Sequence, residues 1–180
     1  MEQKFTFDSK DNKWHLRYLH QALNISGWSK DLSTKVGCII VKDDKAILSS
    51  GYNGFPRGID DNVPERLLRP LKYIYVVHAE VNAILNVARN GMGSTKDSIM
   101  YVTMAPCSGC AKIIVNAGIK EVIYLGPSKA EKEKRKNVTG WREEIEYSFK
   151  MFDESGVKHK EIPYADLMNY IRQQPKLPER

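Results

Sequence analysis

Ile99-Met100-Tyr101-Val102-Thr103, then Ser108-Gly109-Cys110-Ala111-Lys112-Ile113-Ile114-Val115-Asn116-Ala117, then Glu121-Val122-Ile123-Tyr124-Leu125 decide the fold of this chain. The first and last are apolar runs of strand length, and the middle one reads as a helix closed by Gly118. Strand, helix and strand in that order make a crossover unit whose two strands lie parallel in one sheet. Upstream, His78 to Asn90 reads as a helix closed by Gly91. Earlier still, Val36 to Val41 and Ala46 to Tyr52 are apolar strands separated by Asp43-Asp44, a hairpin-turn composition. Leu16, Leu19 and Leu23 mark a first helix from about Trp14 to Ser26, with Gly27 as its stop.

The connection from Gly54 to about Lys72 carries Pro56, Pro64 and Pro70 and is too long for a bare turn, so it is a functional loop or an insertion. Downstream, Trp141, Ile145, Phe149 and Phe152 recur at helical spacing before Gly156, which is core packing. The run Lys129 to Lys136 mixes both charge signs and reads as a solvated loop; Gln173 to Pro178 reads as a frayed tail. There is no internal repeat. The expectation is a single three-layer α/β domain over 1–180, with its core at about 13–163 and a flexible tail at about 173–180.

Composition narrows the class. A length of 180 residues with 42% hydrophobic content is enough for one core. Three cysteines cannot build a disulfide framework, which points to a reducing compartment. No stretch approaches the ~20 apolar residues of a membrane span, so the expectation is a soluble, cytoplasmic protein with no membrane partner. The net charge of +6 suits an anionic ligand. Trp14, Trp28 and Trp141 are dispersed, however, where a polynucleotide reader wants clustered basic and aromatic surface. Nucleic acid is therefore not the expected partner.

The chemistry sits at helix starts. Pro106-Cys107-Ser108-Gly109-Cys110 places two cysteines where both can reach one ion, and His78 supplies a third corner of a tetrahedron. A structural zinc site closes with four protein ligands. Three ligands leave a corner for water, the arrangement of a catalytic site. Glu80, two residues beyond His78, is not needed as a ligand and is placed to move protons. Taken singly, each residue has a plainer reading: a half-buried histidine, a first-turn glutamate favoured by the helix dipole, or a redox Cys-x-x-Cys pair. Their adjacency favours zinc. Cys38 lies in a continuous apolar run and reads as a small buried hydrophobe.

His-x-Glu followed by Pro-Cys-x-x-Cys is the general signature of zinc deaminases acting on cytosine or adenine. Over residues 29–124 the resemblance narrows. Ser29-Lys30-Asp31, Thr34-Lys35-Val36-Gly37, Gly51-Tyr52-Asn53-Gly54-Phe55-Pro56-Arg57-Gly58, His78-Ala79-Glu80-Val81-Asn82-Ala83-Ile84 and Ala117-Gly118-Ile119-Lys120 together resemble the deoxycytidylate (dCMP) deaminases of the cytidine deaminase superfamily.

That resemblance implies a three-layer α/β/α fold with a five-stranded mixed sheet. It implies conversion of dCMP to dUMP and ammonia for thymidylate synthesis, with one Zn2+ per subunit. Asn53 would contact the sugar 3′-hydroxyl, its amide both donating and accepting. Thr103 to Pro106 would line the base pocket, with the Ala105 backbone reading the pyrimidine edge. Lys30 is the candidate phosphate contact, against the plainer reading of a solvated lysine. The family implies a homo-hexamer activated by dCTP, with Mg2+ accompanying the triphosphate, and inhibited by dTTP. Arg57 and Arg89 match its effector region, with helix-terminal salt bridges as the alternative. The linker lacks the extra histidines and cysteines by which some viral relatives bind a second zinc. A tRNA or other polynucleotide deaminase and a noncatalytic zinc-stabilised module remain the competing readings.

Overall fold

The computed structural model describes residues 10–43, 45–135 and 140–175. Asp44 of the expected turn, Lys136, the side chain of Trp141 and the tail beyond residue 175 lie outside the described residues.

Five strands form one sheet in the order β2-β1-β3-β4-β5: β1 Gly37–Val41, β2 Ile47–Tyr52, β3 Ile99–Val102, β4 Glu121–Leu125 and β5 Lys158–Ile162. β1 is antiparallel to both β2 and β3, whereas β3, β4 and β5 run parallel. The sheet is mixed, as expected. Its second half is parallel because a helix separates each successive pair of strands there.

Alternation along each strand divides the core into two layers. Ile39, Val41, Tyr101, Ile123 and Leu125 face α1 (Lys10–Ser26) and α7 (Tyr164–Arg172), against Leu16, Leu19, Leu167 and Tyr170. Cys38, Ile40, Met100, Val102 and Val122 face the other side, where α3 (Ala79–Arg89), α4 (Ser108–Asn116) and α6 (Trp141–Ser155) supply Ala83, Val87, Ile114 and Phe152. Each fully buried leucine or phenylalanine contributes about 1.5–3 kcal/mol. Cys38 is fully buried among these apolar side chains, and all three cysteines are free thiols.

Close approaches set the layer spacing. A β-carbon on Gly51 of β2 would fall 2.4 Å from the backbone nitrogen of Ala83 and 2.5 Å from the carbonyl oxygen of Ala79, so β2 lies directly on α3. Gly118, at φ 71°, turns the chain out of α4 in the left-handed conformation its position was expected to need.

Four stretches depart from the sequence expectation. Lys129 to Lys136 is not a loop as far as it is described: α5 (Lys129–Arg135) begins with Ser128 and Glu131 capping each other's backbone amides. The fifth strand, Lys-His-Lys-Glu-Ile, buries only Ile162, which removes the apolar alternation by which a strand is read. α7 lies beyond the expected core and buries Leu167 and Tyr170. Within the long connection, a 3-10 turn at Pro64–Leu67 and a short helix α2 (Lys72–Tyr75) carry the chain back, and Gly54 and Val77 exchange backbone hydrogen bonds of 3.1 and 2.8 Å.

Candidate active site

His78 is the N-cap of α3 and Cys107 the N-cap of α4, each with extended backbone angles, so both helices begin at the site. Glu80 and Cys110 lie inside the first turns of those same helices. The site therefore forms at the C-terminal ends of β2 and β3 and the N-terminal end of β1, where the strands hand the chain over to loops. Helix N-termini present unsatisfied N–H groups and a partial positive charge, which favours thiolate and carboxylate.

The three expected ligands converge. His78 Nδ1 stands 3.3 Å from Cys110 Sγ and 3.5 Å from Cys107 Sγ, and all three donor atoms lie within 4.8 Å of one another. Zn–S and Zn–N bonds of about 2.3 and 2.0–2.1 Å at tetrahedral angles put sulfur and nitrogen about 3.5 Å apart, so the donor set fits zinc. Among the described residues no fourth histidine, cysteine or carboxylate joins the group. α6 braces the cysteine loop: Ser108 Oγ donates to Glu144 Oε2 at 2.6 Å, and Ser148 Oγ donates to the Cys107 carbonyl at 3.4 Å.

Electrostatics match the geometry. The hydrogen bond from Cys110 lowers the Cys107 thiol to about 3 against the cost of burial, with help from His78. Cys110 is raised because it keeps the proton the pair shares. His78 is raised by its hydrogen bond to Cys107, despite burial. Glu80 is 4% exposed; burial pushes its carboxyl above the ordinary range, offset in part by its own backbone N–H and by His78. A buried carboxyl whose pKa is raised holds a proton more readily than an exposed one, which suits a group that must accept a proton and return it.

Two cavities take in sequence-predicted substrate residues, although His78, Glu80, Cys107 and Cys110 line neither of them. The larger, about 410 Å³, is lined by Lys30, Asn53 and Arg57 among others; the smaller, about 180 Å³, is lined by Thr103, Ala105, Tyr124 and Phe149 among others. Pro106 is buried and follows Ala105 in the chain, but it does not line the smaller cavity. A ladder joins the two sides: Asn53 N donates to the Val36 carbonyl at 3.1 Å, and Gly37 N donates to Thr103 Oγ1 at 3.0 Å. Lys30 is tied to the long connection, 2.8 Å from Asp61 Oδ1 and 3.3 Å from Asn62 Oδ1. Arg57 donates to Asn86 Oδ1 at 3.0 Å, and exposed Arg89 lies at the end of α3, outside both cavities.

The Asn53 amide differs from its expectation. Its Nδ2 donates to Asp31 Oδ2 at 3.2 Å and to the Thr34 carbonyl at 2.9 Å, and its Oδ1 accepts from Val36 N at 2.7 Å. Both amide hydrogens are committed within the protein, so the group retains acceptor capacity and no donor. Asp31 and Lys72 were not foreseen as site residues. Their charges lie far apart in sequence, and only the fold brings them together.

Comparison with known proteins agrees with this site. Residues 12–126 match the family described as the cytidine and deoxycytidylate deaminase zinc-binding region. A probable deoxycytidylate deaminase of Caenorhabditis elegans is 42% identical over 130 residues, covering 68% of this chain; the chain spans 62% of that protein's length. A deaminase of Aliivibrio fischeri that is not otherwise characterised is 36% identical over 152 residues, covering 84% of this chain and 95% of that one. The crystal structure of a dCMP deaminase from the cyanophage S-TIM5 in complex with dCMP and dUMP is 26% identical with a TM-score of 0.63, covering 86% of this chain and 98% of that chain. A match that runs from the first helix through the fourth strand, and takes in every converging donor, makes this chain a member of the cytidine and deoxycytidylate deaminase family.

Proposed function

We propose that the protein converts dCMP and water to dUMP and ammonia, supplying dUMP for thymidylate synthesis. The observation that carries this is the buried Glu80 carboxyl on the same helix start as His78, beside a three-donor group with one tetrahedral corner to spare. Zinc held by His78, Cys107 and Cys110 would supply a Lewis acid that makes hydroxide available at neutral pH. Glu80 takes one proton from the attacking water as its oxygen bonds to C4 and gives it to the ring nitrogen, then takes the second proton from the new C4 hydroxyl and gives it to the amine as the C4–N bond breaks and ammonia leaves. Thr103, Ala105 and Pro106 form the wall against which the base is held, and the Asn53 Oδ1 accepts from the sugar hydroxyl. The mononucleotide reading is supported by the relative solved with dCMP and dUMP.

The same reading includes effector control and assembly. Lys30, which lines the 410 Å³ groove beside Asn53, is the contact for the substrate's phosphate, and Arg57 on the same groove is the contact for an effector's phosphates, which suits activation by dCTP and inhibition by dTTP. Arg89 serves this role only where assembly brings it to the groove. No second group of metal-type donors occurs among the described residues, so Mg2+ would ride on the effector's phosphates. Exposed apolar side chains at Trp28, Leu32, Tyr73 and Ile74 support burial in a homo-hexamer.

Steady-state deamination by the zinc-loaded protein tests the function. Turnover of dCMP, lowered about 10²–10⁴-fold by Glu80→Gln with zinc content retained, is expected. Activity confined to RNA would select a polynucleotide deaminase. No activity on either substrate would select a zinc-stabilised binding module.

A further inference from the structure

Asp31 is 6% exposed, yet it is a carboxylate with no part in the metal site. Its Oδ1 accepts from Ser33 N at 2.8 Å and Thr34 N at 3.0 Å, and Lys72 Nζ lies 2.8 Å from Oδ1 and 2.7 Å from Oδ2. The Lys72 and Asp31 side chains are 12% and 3% exposed, so this ion pair is shielded from solvent. Burial would raise the Asp31 carboxyl, but Lys72 and the amides of Thr34 and Ser33 together hold it below the usual range. It is fully ionised at neutral pH.

That negative charge faces the Asn53 Nδ2. If the Asn53 amide were flipped, its oxygen would face the Asp31 carboxylate and the Thr34 carbonyl, and its NH2 would face the Val36 N–H; all three contacts would become repulsive. We propose that the buried Asp31–Lys72 pair is a positioning device that locks the Asn53 amide in one orientation, so that the pocket offers a sugar hydroxyl an acceptor only. Lys72 makes the charge tolerable inside the protein, and Asp31 spends it on orienting Asn53. The consequence for specificity is that the 3′-hydroxyl must donate. This role rests on the dCMP reading above and adds the residues that enforce its sugar recognition.

The test compares kcat/KM for dCMP with that for 2′,3′-dideoxy-CMP, in the wild type and in Lys72→Met, Lys72→Arg and the neutral double variant Asp31→Asn/Lys72→Met. The wild type should prefer dCMP by about tenfold, the worth of one hydrogen bond. In Lys72→Met, which leaves the Asp31 carboxylate without its partner, and in the double variant, which removes its charge, the preference should fall by at least about twofold, with the loss carried by KM for dCMP, while the Thr34 carbonyl and the Val36 N–H still favour the observed orientation. Lys72→Arg should restore it. Equilibrium binding of dUMP and its 3′-deoxy analogue should show the same change without turnover. A preference that survives undiminished in a folded variant, or an equal loss on both substrates, overturns the proposal. A wild type that deaminates both substrates equally overturns it while leaving the dCMP reading intact; a wild type inert toward dCMP overturns both.

Discussion

A single side chain can be both a stabiliser and a pH sensor, and Asp31 is the case here. Its carboxyl is held below the ordinary range in the folded protein, where burial opposes the shift and Lys72, Thr34 and Ser33 outweigh it. A lowered folded pKa means that the stabilisation is complete above the unfolded value of about 3.9 and is lost as pH falls through the folded value. The difference in unfolding free energy between wild type and Asp31→Asn should be flat from pH 7 to about 5 and shrink below pH 4, as read by denaturant titration at each pH. A difference that grows on acidification would reverse the sign assigned to this group. At this scale the sequence was legible where chemistry imposes spacing. His78, Glu80, Cys107 and Cys110 could be read because two helix starts and a Cys-x-x-Cys step leave few alternatives. Asp31 and Lys72 could not be, since 41 residues separate them and no local pattern links a loop carboxylate to a short helix in the long connection.

The elements carry a different constraint, that of distance between backbones. Gly51 lets β2 lie on α3 at the point where Ala79 and Ala83 face it, one residue on either side of the turn that bears Glu80 and Asn82. Gly51→Ala should therefore cost about 1–3 kcal/mol as the strand and helix are forced apart. On the proposed function it should also lower deamination, because Glu80, the proposed acid–base group, and His78 both sit at the start of that helix. An unchanged unfolding midpoint would show that the two elements separate without penalty. β1, β2, β3, β4, α3 and α4 were readable from apolar runs and glycine stops. β5 and α5 were not: both are rich in lysine and glutamate, and each owes its structure to neighbours, β5 to pairing with β4 and α5 to a two-residue cap.

For the whole molecule the question is what covers the apolar surface. Trp28, Leu32, Tyr73 and Ile74 are between 65% and 75% exposed, and Leu32 adjoins the Asp31–Lys72 pair that ties its loop to α2. If these side chains are subunit contacts, the wild type should sediment at about six times the 20.6 kDa of one chain. Ile74→Glu should shift that species to lower mass while the isolated fold keeps its circular dichroism. A wild type that sediments as one chain would remove the hexamer from the proposal. Among the described residues no helix is long and apolar enough to cross a membrane.

The fifth strand bears on behaviour in concentrated solution. With Lys158, Lys160 and Glu161 outside the core, an extended peptide arriving at that flank meets ionic groups where it would need greasy contact. Fibril-like stacking is discouraged there. The opposite flank ends in β2, with Ile47 and Tyr52 open to solvent, so runaway sheet extension would start on the side that leans against α3 and the Glu80 it carries. Precipitation and loss of turnover should thus advance together.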